Sequence, residues 1–265
     1  MAAQTPNIPA TRGFKSLRAI SALMLREMTT VYGASPGGYV WAILSPLFFI
    51  MILSVLFALI LRTPSLGNNF PMFYATGYLP FLVYQEIERT VALSLKFSKS
   101  LLAYPTVTFA DALIARFFLN LLTNTLVFLL VMTGLIIAYD LNPIIDAQAA
   151  MMSLMMAAAL GFGFGVLNCF LISAFPVWQR IWLILSRPLF LLSAIIYLVD
   201  EVPPEFQDYL WYNPLVHVTA LMRKAFFSTY EATFVSYAFP YTVAGVTAAL
   251  GLLLLKRHHR RLLNQ

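Results

Sequence analysis

The chain has 265 residues, of which 60% are hydrophobic and only 11% charged, and its mean hydropathy is +0.79. A soluble domain of this length would carry about 25% charged residues, so an ordinary water-soluble fold is excluded. The formal net charge of +6 is no nucleic-acid signature, because the basic residues are sorted along the chain rather than gathered in one patch.

Residues 1–13, with Pro6, Pro9 and Gly13, read as a disordered leader. Residues 1–38 contain no clean apolar core followed by a small-residue cleavage site, so no signal peptide is expected and the first span should act as the targeting signal. Over 14–34, Phe14, Leu17, Ile20, Met24, Met28 and Val31 recur at spacings of three and four, with Lys15, Arg18, Arg26 and Thr29 on the other side. That pattern predicts an amphipathic helix in the cytoplasmic interface, either a simple anchor or also a platform for a partner. Gly33, Pro36, Gly37 and Gly38 then turn the chain. Residues 39–61 carry no charge until Arg62 follows. A bilayer core of ~30 Å needs about 20 apolar helical residues, so this run predicts a first spanning helix.

The second predicted span, 71–92, holds Pro80 and ends in Gln85, Glu86, Ile87, Glu88 and Arg89. Glu86 and Arg89 stand three apart, share a helix face and can pair near the cytoplasmic boundary. Residues 96–108, with Lys99 and Pro105, read as a cytoplasmic hairpin with a short helix. The third span, 110–138, begins near Asp111 and Arg116 and carries Asn120 and Asn124. A short loop with Asp140, Asn142, Pro143 and Asp146 leads to the fourth, 147–175. Gly161 and Gly165 there have no preceding strand to make a phosphate loop, and their spacing suits close helix packing in lipid. Cys169, the lone cysteine, reads as a buried structural thiol.

The fifth span, 179–199, carries Arg187 and Pro188, with Arg187 about nine residues past Trp178, or ~13 Å deep. The segment 200–235 is too polar for an ordinary span yet holds Phe206, Tyr209, Trp211, Tyr212, Phe226 and Phe227. Pro203, Pro204 and Pro214 divide it. It reads as two short helices that dip into the outer leaflet and return, tolerable only where protein covers the backbone. The sixth span, 236–255, ends in the basic tail 256–265, an anchor for anionic lipid head groups.

If both ends are cytoplasmic, Arg12, Lys15, Arg18, Arg26, Lys96, Lys99, Arg180, Lys256, Arg257, Arg260 and Arg261 lie inside. The outside loops then hold only Arg62, Arg223 and Lys224. This is the positive-inside bias with an even number of spans. Arg89, Arg116 and Arg187 stand at membrane depth or its edge, where charge is costly and marks function. Arg187 either snorkels or pairs within the protein, or it contacts an anionic substrate group. Glu86 with Arg89 is either a structural ion pair or part of a conduit. Trp41, Trp178, Trp182 and Trp211 suit interfacial belts or, alternatively, sugar stacking.

Enzyme chemistry is largely absent. No Gly-x-x-x-x-Gly-Lys-Ser/Thr segment exists, so the chain cannot hold ATP in the P-loop manner. His217, His258 and His259 show no metal-ligand spacing. No catalytic triad or paired-carboxylate arrangement is visible, and no inverted repeat of interrupted helices speaks for a secondary transporter.

Four stretches together resemble a known family. Leu25-Arg26-Glu27, followed by Gly38-Tyr39-Val40-Trp41-Ala42-Ile43-Leu44-Ser45-Pro46, resembles the start of type-2 ABC exporter permeases. The likeness is closer to the capsular polysaccharide export permeases, relatives of the O-antigen exporters. Gly77-Tyr78-Leu79-Pro80-Phe81, the stretch from Asp111 to Arg116, and Trp211-Tyr212-Asn213-Pro214-Leu215-Val216-His217-Val218 extend it. Positions 29–38 depart from it by lacking the basic residues such permeases often carry.

The resemblance implies an all-α membrane protein of six transmembrane helices, with an N-terminal amphipathic interface helix. Re-entrant helices at about 200–222 would lie between spans five and six. Two copies would pair as a homodimer above two separate ATP-binding cassette subunits, which would hold the ATP and magnesium; this chain would bind no cofactor or metal. Coupling to the ATPase would run through Arg26 and Glu27 and through Lys99, Leu101, Leu102, Tyr104 and Pro105. A conduit for a lipid-linked acidic capsular polysaccharide would use Glu86, Arg89, Arg187, Tyr84, Trp41, Trp178, Trp182, Trp211 and Tyr212. A periplasmic and outer-membrane export adaptor would receive the cargo in the envelope of a bacterium, with this chain in the inner membrane and no nucleic acid involved. O-antigen, teichoic acid or drug export within the ABC class stay open, as do a secondary transporter or channel and a membrane transferase.

The charge sorting is testable directly. Single cysteines placed at 140–146 and 200–210 should react with an impermeant thiol reagent from the periplasm, and cysteines at 96–104 should not. The reverse pattern would remove the six-span topology.

Overall fold

The computed structural model describes residues 12–32, 37–99 and 108–263. All regular structure among them is helical: α1 (Arg12–Glu27), α2 (Gly38–Ala58), α3 (Phe70–Ala92), α4 (Ser94–Phe97), α5 (Phe109–Ala138), α6 (Ala147–Ala174), α7 (Trp178–Leu192), α8 (Pro204–Trp211), α9 (Pro214–Phe226) and α10 (Ala238–Leu263). A π-helical turn, Met28–Tyr32, continues α1, and a 3-10 turn, Val199–Glu201, precedes α8. Arg12 and Gly13, expected in the leader, already belong to α1; residues 1–11 and most of the hairpin, 100–107, lie outside the described residues.

α3, α5, α6 and α9 start where short polar side chains accept the first free N–H groups. Asn69 accepts from Met72 N at 3.0 Å for α3, and Asp146 accepts from Ala149 N at 3.0 Å for α6. For α5, Thr108 and Asp111 cap each other reciprocally, and Asp111 also accepts from Ser16 of α1. The start of α5 is thereby tied to the amphipathic helix.

α3, α6 and α9 form the centre of the bundle, and α9 is buried over nearly its whole length. α5 packs against α3, α10 against α6, and α1 against α5. The glycines of α6 explain how closely the central helices approach. A Cβ on Gly161 would lie 2.8 Å from Tyr84 O, and one on Gly165 would lie 2.8 Å from Val91 Cβ, so both face α3. Gly163, on the other side, faces α10 at 2.5 Å from Ala244 O. Small residues let backbones approach where lipid supplies no hydrophobic drive. Cys169 is fully buried on the same helix.

Four helical stretches among the described residues are long and apolar enough to cross a membrane: Val40–Ala58, Phe109–Ala138, Ala147–Ala174 and Ala238–His258. α3, at 23 residues, is long enough but too polar to count with them. The fifth expected span differs more. α7 has only 15 residues, ~22 Å at the usual rise, and stops at Leu192 rather than continuing to 199. Beyond it the chain unwinds, with Ala194 at φ 52°. The reason is tertiary: side chains of α9 and its cap take the carbonyls that a continuing helix would have used.

The glycine contacts generate a stability test. Gly163→Val should cost about 1–3 kcal/mol, because the added side chain meets α10 backbone. Gly134→Ala, where nothing lies within 4 Å of the added carbon, should be tolerated. Thermal unfolding of the detergent-solubilised protein checks the pair; equal effects would contradict the packing of α6 on α10.

Candidate functional site

The C-terminal ends of α1 and α3, the short α4 and the N-terminal end of α5 surround a cavity of about 530 Å³, lined by Glu27, Glu86, Arg89, Thr90, Lys96, Phe97, Arg116 and Asn120. A second, smaller cavity of about 90 Å³ adjoins it and is mainly aromatic and aliphatic, with Phe81, Tyr84, Trp182, Leu183 and Leu189 in its wall. Arg89 and Leu93 line both. Arg89 therefore stands in the wall that the two cavities share, with the carboxylate residue Glu88 also lining the smaller one.

Arg89 Nη2 donates to Glu86 Oε2 at 2.7 Å, the pair that the three-residue spacing predicts. The Arg89 side chain keeps 63% of its surface exposed and Glu86 keeps 29%. An exposed pair of this kind is worth little to stability, so Arg89 is free to exchange its partner. Lys96 Nζ donates to Gln179 Oε1 at 3.0 Å, which ties α4 to the start of α7.

Arg116 is the opposite case. It is buried, donates from Nε and Nη2 to Glu27 at 3.2 Å and 3.0 Å, and from Nη1 to Thr90 O at 2.7 Å. Its guanidinium lies 4.1 Å from the centre of the Phe97 ring. Burial pushes the Glu27 carboxyl up from its ordinary range, against the pull of Arg116 and of Arg26. Glu27, expected at a coupling surface, thus faces α5 inside the bundle. Arg26 is half-buried, with its guanidinium 5.6 Å from the Phe97 ring. Lys99 is exposed, while Leu101, Leu102, Tyr104 and Pro105 lie outside the described residues.

The remaining expected conduit residues divide into three places. Tyr84, Trp178 and Trp182 gather at the same end of the bundle as these cavities. Tyr84 is buried against Phe164, Trp182 stacks between Phe164 and Trp178, and centroid distances are 6.1–6.4 Å. Trp41 is exposed at the start of α2. Trp211 and Tyr212 lie at the far end of the bundle beside a separate cavity of about 480 Å³. Trp211 stacks on Phe234 and Tyr212 is exposed. The backbone there is held by His217, whose Nδ1 accepts from Ser236 N at 3.1 Å, leaving Nε2–H to donate to Trp211 O at 2.9 Å. Arg187 is exposed on α7 and makes no hydrogen bond or ion pair with the described residues.

Sequence reasoning missed two buried charges. Glu88 is buried on α3 and accepts from Asn168 Nδ2 at 2.7 Å; Asn168 Oδ1 accepts in turn from Trp178 Nε1 at 2.9 Å. Arg223, expected in an outside loop, is instead 1% exposed inside α9. A signal was available for both: neither has an oppositely charged residue three or four positions away, so any partner had to come from another element. Among the described residues no cluster of His, Cys, Asp or Glu could hold a metal ion.

An all-helical bundle with apolar spanning helices, a charged chamber at one end and no nucleotide loop of its own belongs to the class of membrane permeases. The chain belongs to the ABC-2 type transporter family, whose model matches residues 18–227. Among its relatives is the polysialic acid transport protein KpsM of Escherichia coli, 29% identical over 255 residues, covering 96% of this chain and 99% of the relative. The capsule polysaccharide export inner-membrane protein CtrC of Neisseria meningitidis serogroup B is 25% identical over 217 residues, 82% of each chain. The corresponding protein BexB of Haemophilus influenzae is 25% identical over 239 residues, 90% of each chain.

The Glu27–Arg116 pair gives a separable outcome. Arg116→Ala should destabilise the protein by about 3–5 kcal/mol, because it leaves a buried carboxylate unpaired. Adding Glu27→Gln should recover most of that loss. Thermal unfolding of the single and double variants measures it; additive losses would mean that the two groups do not interact.

Proposed function

We propose that this chain is the membrane permease subunit of an ABC exporter that moves a lipid-linked, acidic capsular polysaccharide across the bacterial inner membrane. The observation that carries this reading is the end-to-end likeness to KpsM, over 96% of this chain and 99% of the relative. CtrC and BexB, both capsule polysaccharide export inner-membrane proteins, support it over 82% and 90% of the chain.

In this reading α2, α3, α5, α6, α7 and α10 are six spans, and α8 and α9 re-enter the outer leaflet between the last two. Both termini are cytoplasmic, which is supported by the sorting of Lys and Arg. Two copies pair, and the exposed apolar faces of α2 and α5 supply surface for lipid and for that pairing. Two separate ATPase subunits dock beneath, against Arg26 on α1 and against the hairpin from Lys99 through Leu101, Leu102, Tyr104 and Pro105. This chain has no P-loop, so hydrolysis belongs to those subunits, along with the ATP and magnesium. An export adaptor in the periplasm and outer membrane takes the product onward.

Within the conduit, Arg89 offers an exposed guanidinium beside a small, mainly aromatic and aliphatic cavity, which suits the acidic head of an amphiphilic cargo. Trp178, Trp182 and Tyr84 line the approach, Arg187 stands further along α7, and Trp41, Trp211 and Tyr212 offer aromatic surface elsewhere on the path. Arg187 is not needed to balance any charge in the described structure, so its value lies in what passes it.

Replacing Arg187 by Ala should leave membrane protein level and thermal stability near normal and reduce surface polysaccharide. Arg187→Lys should rescue in part, because a point charge still attracts an acidic sugar or phosphate without the bidentate fork. Normal export by the Ala variant would remove Arg187 from the conduit, and loss of protein in step with export would make its role structural. The purified chain should hydrolyse no ATP until an ATPase subunit is added; turnover by a clean preparation of the chain alone would sink the division of labour.

A further inference from the structure

α7 carries Arg187, and none of its residues is buried. Its apolar packing is partial: Trp182 stacks on Phe164, and Phe190 meets Phe49, Tyr78 and Phe81. Polar bonds hold its two ends as well. At the inner end Trp178 Nε1 bonds Asn168, and Gln179 bonds Lys96.

At the outer end the chain leaves the helix after Leu192, and its carbonyls need donors. α9 and its cap supply them in order. Asn213 Nδ2 donates to Leu192 O at 3.0 Å, and Thr219 Oγ1 donates to Ser193 O at 2.9 Å. Arg223 Nη2 donates to Ile195 O and Nη1 to Tyr197 O, both at 2.7 Å. Thr219 and Arg223 are four apart and share one face of α9. Together these groups form a rail along which the unwound segment lies.

We propose that Arg223 is a positioning residue for export: its guanidinium pins the unwound segment at the end of α7 and so sets where Arg187 stands in the conduit. The proposal rests on the permease reading for its link to cargo, but not for its geometry. Arg223 is almost wholly buried, and no carboxylate of the described residues lies within salt-bridge reach of it. Its charge is met by two carbonyls and by the Phe73 ring, 4.4 Å from the guanidinium. Its Nε has no acceptor among the described residues. Glu201 attracts it only from beyond salt-bridge reach, and a buried cation with an idle donor and no direct ion pair is a poor choice for stability alone. It is a good choice for gripping two carbonyls two residues apart, which takes the planar fork of arginine and not the single ammonium of lysine. α3 is shaped to admit the grip: a Cβ on Gly77 would lie 2.9 Å from Ile195 O and 3.2 Å from Arg223 Nη2.

The test uses the full chain together with its ATPase partner in native membranes. A reporter cysteine, Ser186→Cys in a Cys169→Ala background, sits one residue from Arg187 and reads the placement of α7 through its rate of maleimide labelling. Arg223→Lys should reach the membrane at a near-parental level and change that rate, and lower surface polysaccharide per permease, each by about tenfold, the scale of coupling carried by a contiguous network. Thr219→Val, which removes one bond of the rail, should move both readouts in the same direction by less. If Arg223→Lys fails to accumulate, Thr219→Val decides the matter. An unchanged labelling rate in both overturns the proposal, whatever export does. A changed rate with normal export would also overturn it as a statement about transport. Labelling needs no cargo, so a different exported substrate would defeat the polysaccharide reading and leave the positioning of α7 still measured.

Discussion

A peptide group inside a bilayer has no water to bond, so every break in a helix there must be closed by protein. The bundle is organised around that constraint. The chain leaves its helix after Leu192, and α9 with its cap is the element that takes up the freed carbonyls. This explains why a helix of only 13 residues is buried almost end to end at the centre. It also explains why Thr219 and Arg223 stand among the aliphatic residues buried on α9. Ser153 of α6 extends the pattern by donating to Val218 O at 2.7 Å, which fastens α9 from the other side. Once α9 is fixed between α3 and α6, the approach of those helices is set by glycine.

The charged groups follow a second rule, set by what each can reach. Arg116 with Glu27 is buried and joins three elements at one point: α1, α5 and the Thr90 carbonyl of α3. A buried pair is weak evidence for stability but fixes geometry, since neither member can leave without stranding the other. It therefore sets how the amphipathic helix sits on the bundle. Glu88, tied through Asn168 to Trp178, does the same for the start of α7. Arg89 and Arg187 contrast with these. One has an exposed partner and the other none among the described residues. Charges that hold the fold are thus enclosed, and those suited to a passing anion are open.

Much of this organisation was legible in the sequence. Apolar runs marked α2, α5, α6 and α10, because a length of about 20 apolar residues is dictated by bilayer thickness alone. The i, i+3 spacing of Glu86 and Arg89 announced their ion pair, and the prolines at 203, 204 and 214 announced the two short helices α8 and α9. These are local properties, set within one or two helical turns. The glycines of α6 announced close packing, though not which neighbour each one meets.

The early end of α7 was not legible, because its cause is a set of donors 20 to 30 positions away on another helix. Nor was the burial of Arg223, which hydropathy alone assigns to water. Glu27 looked like a surface acid of an amphipathic helix until Arg116, distant in sequence, was placed beside it. The sequence by itself determined where helices can exist and which residues cannot remain in lipid unaided. Only the tertiary structure decided which group satisfies which, because hydrogen bonds and ion pairs in a low-dielectric interior depend on distances between elements that no local spacing encodes.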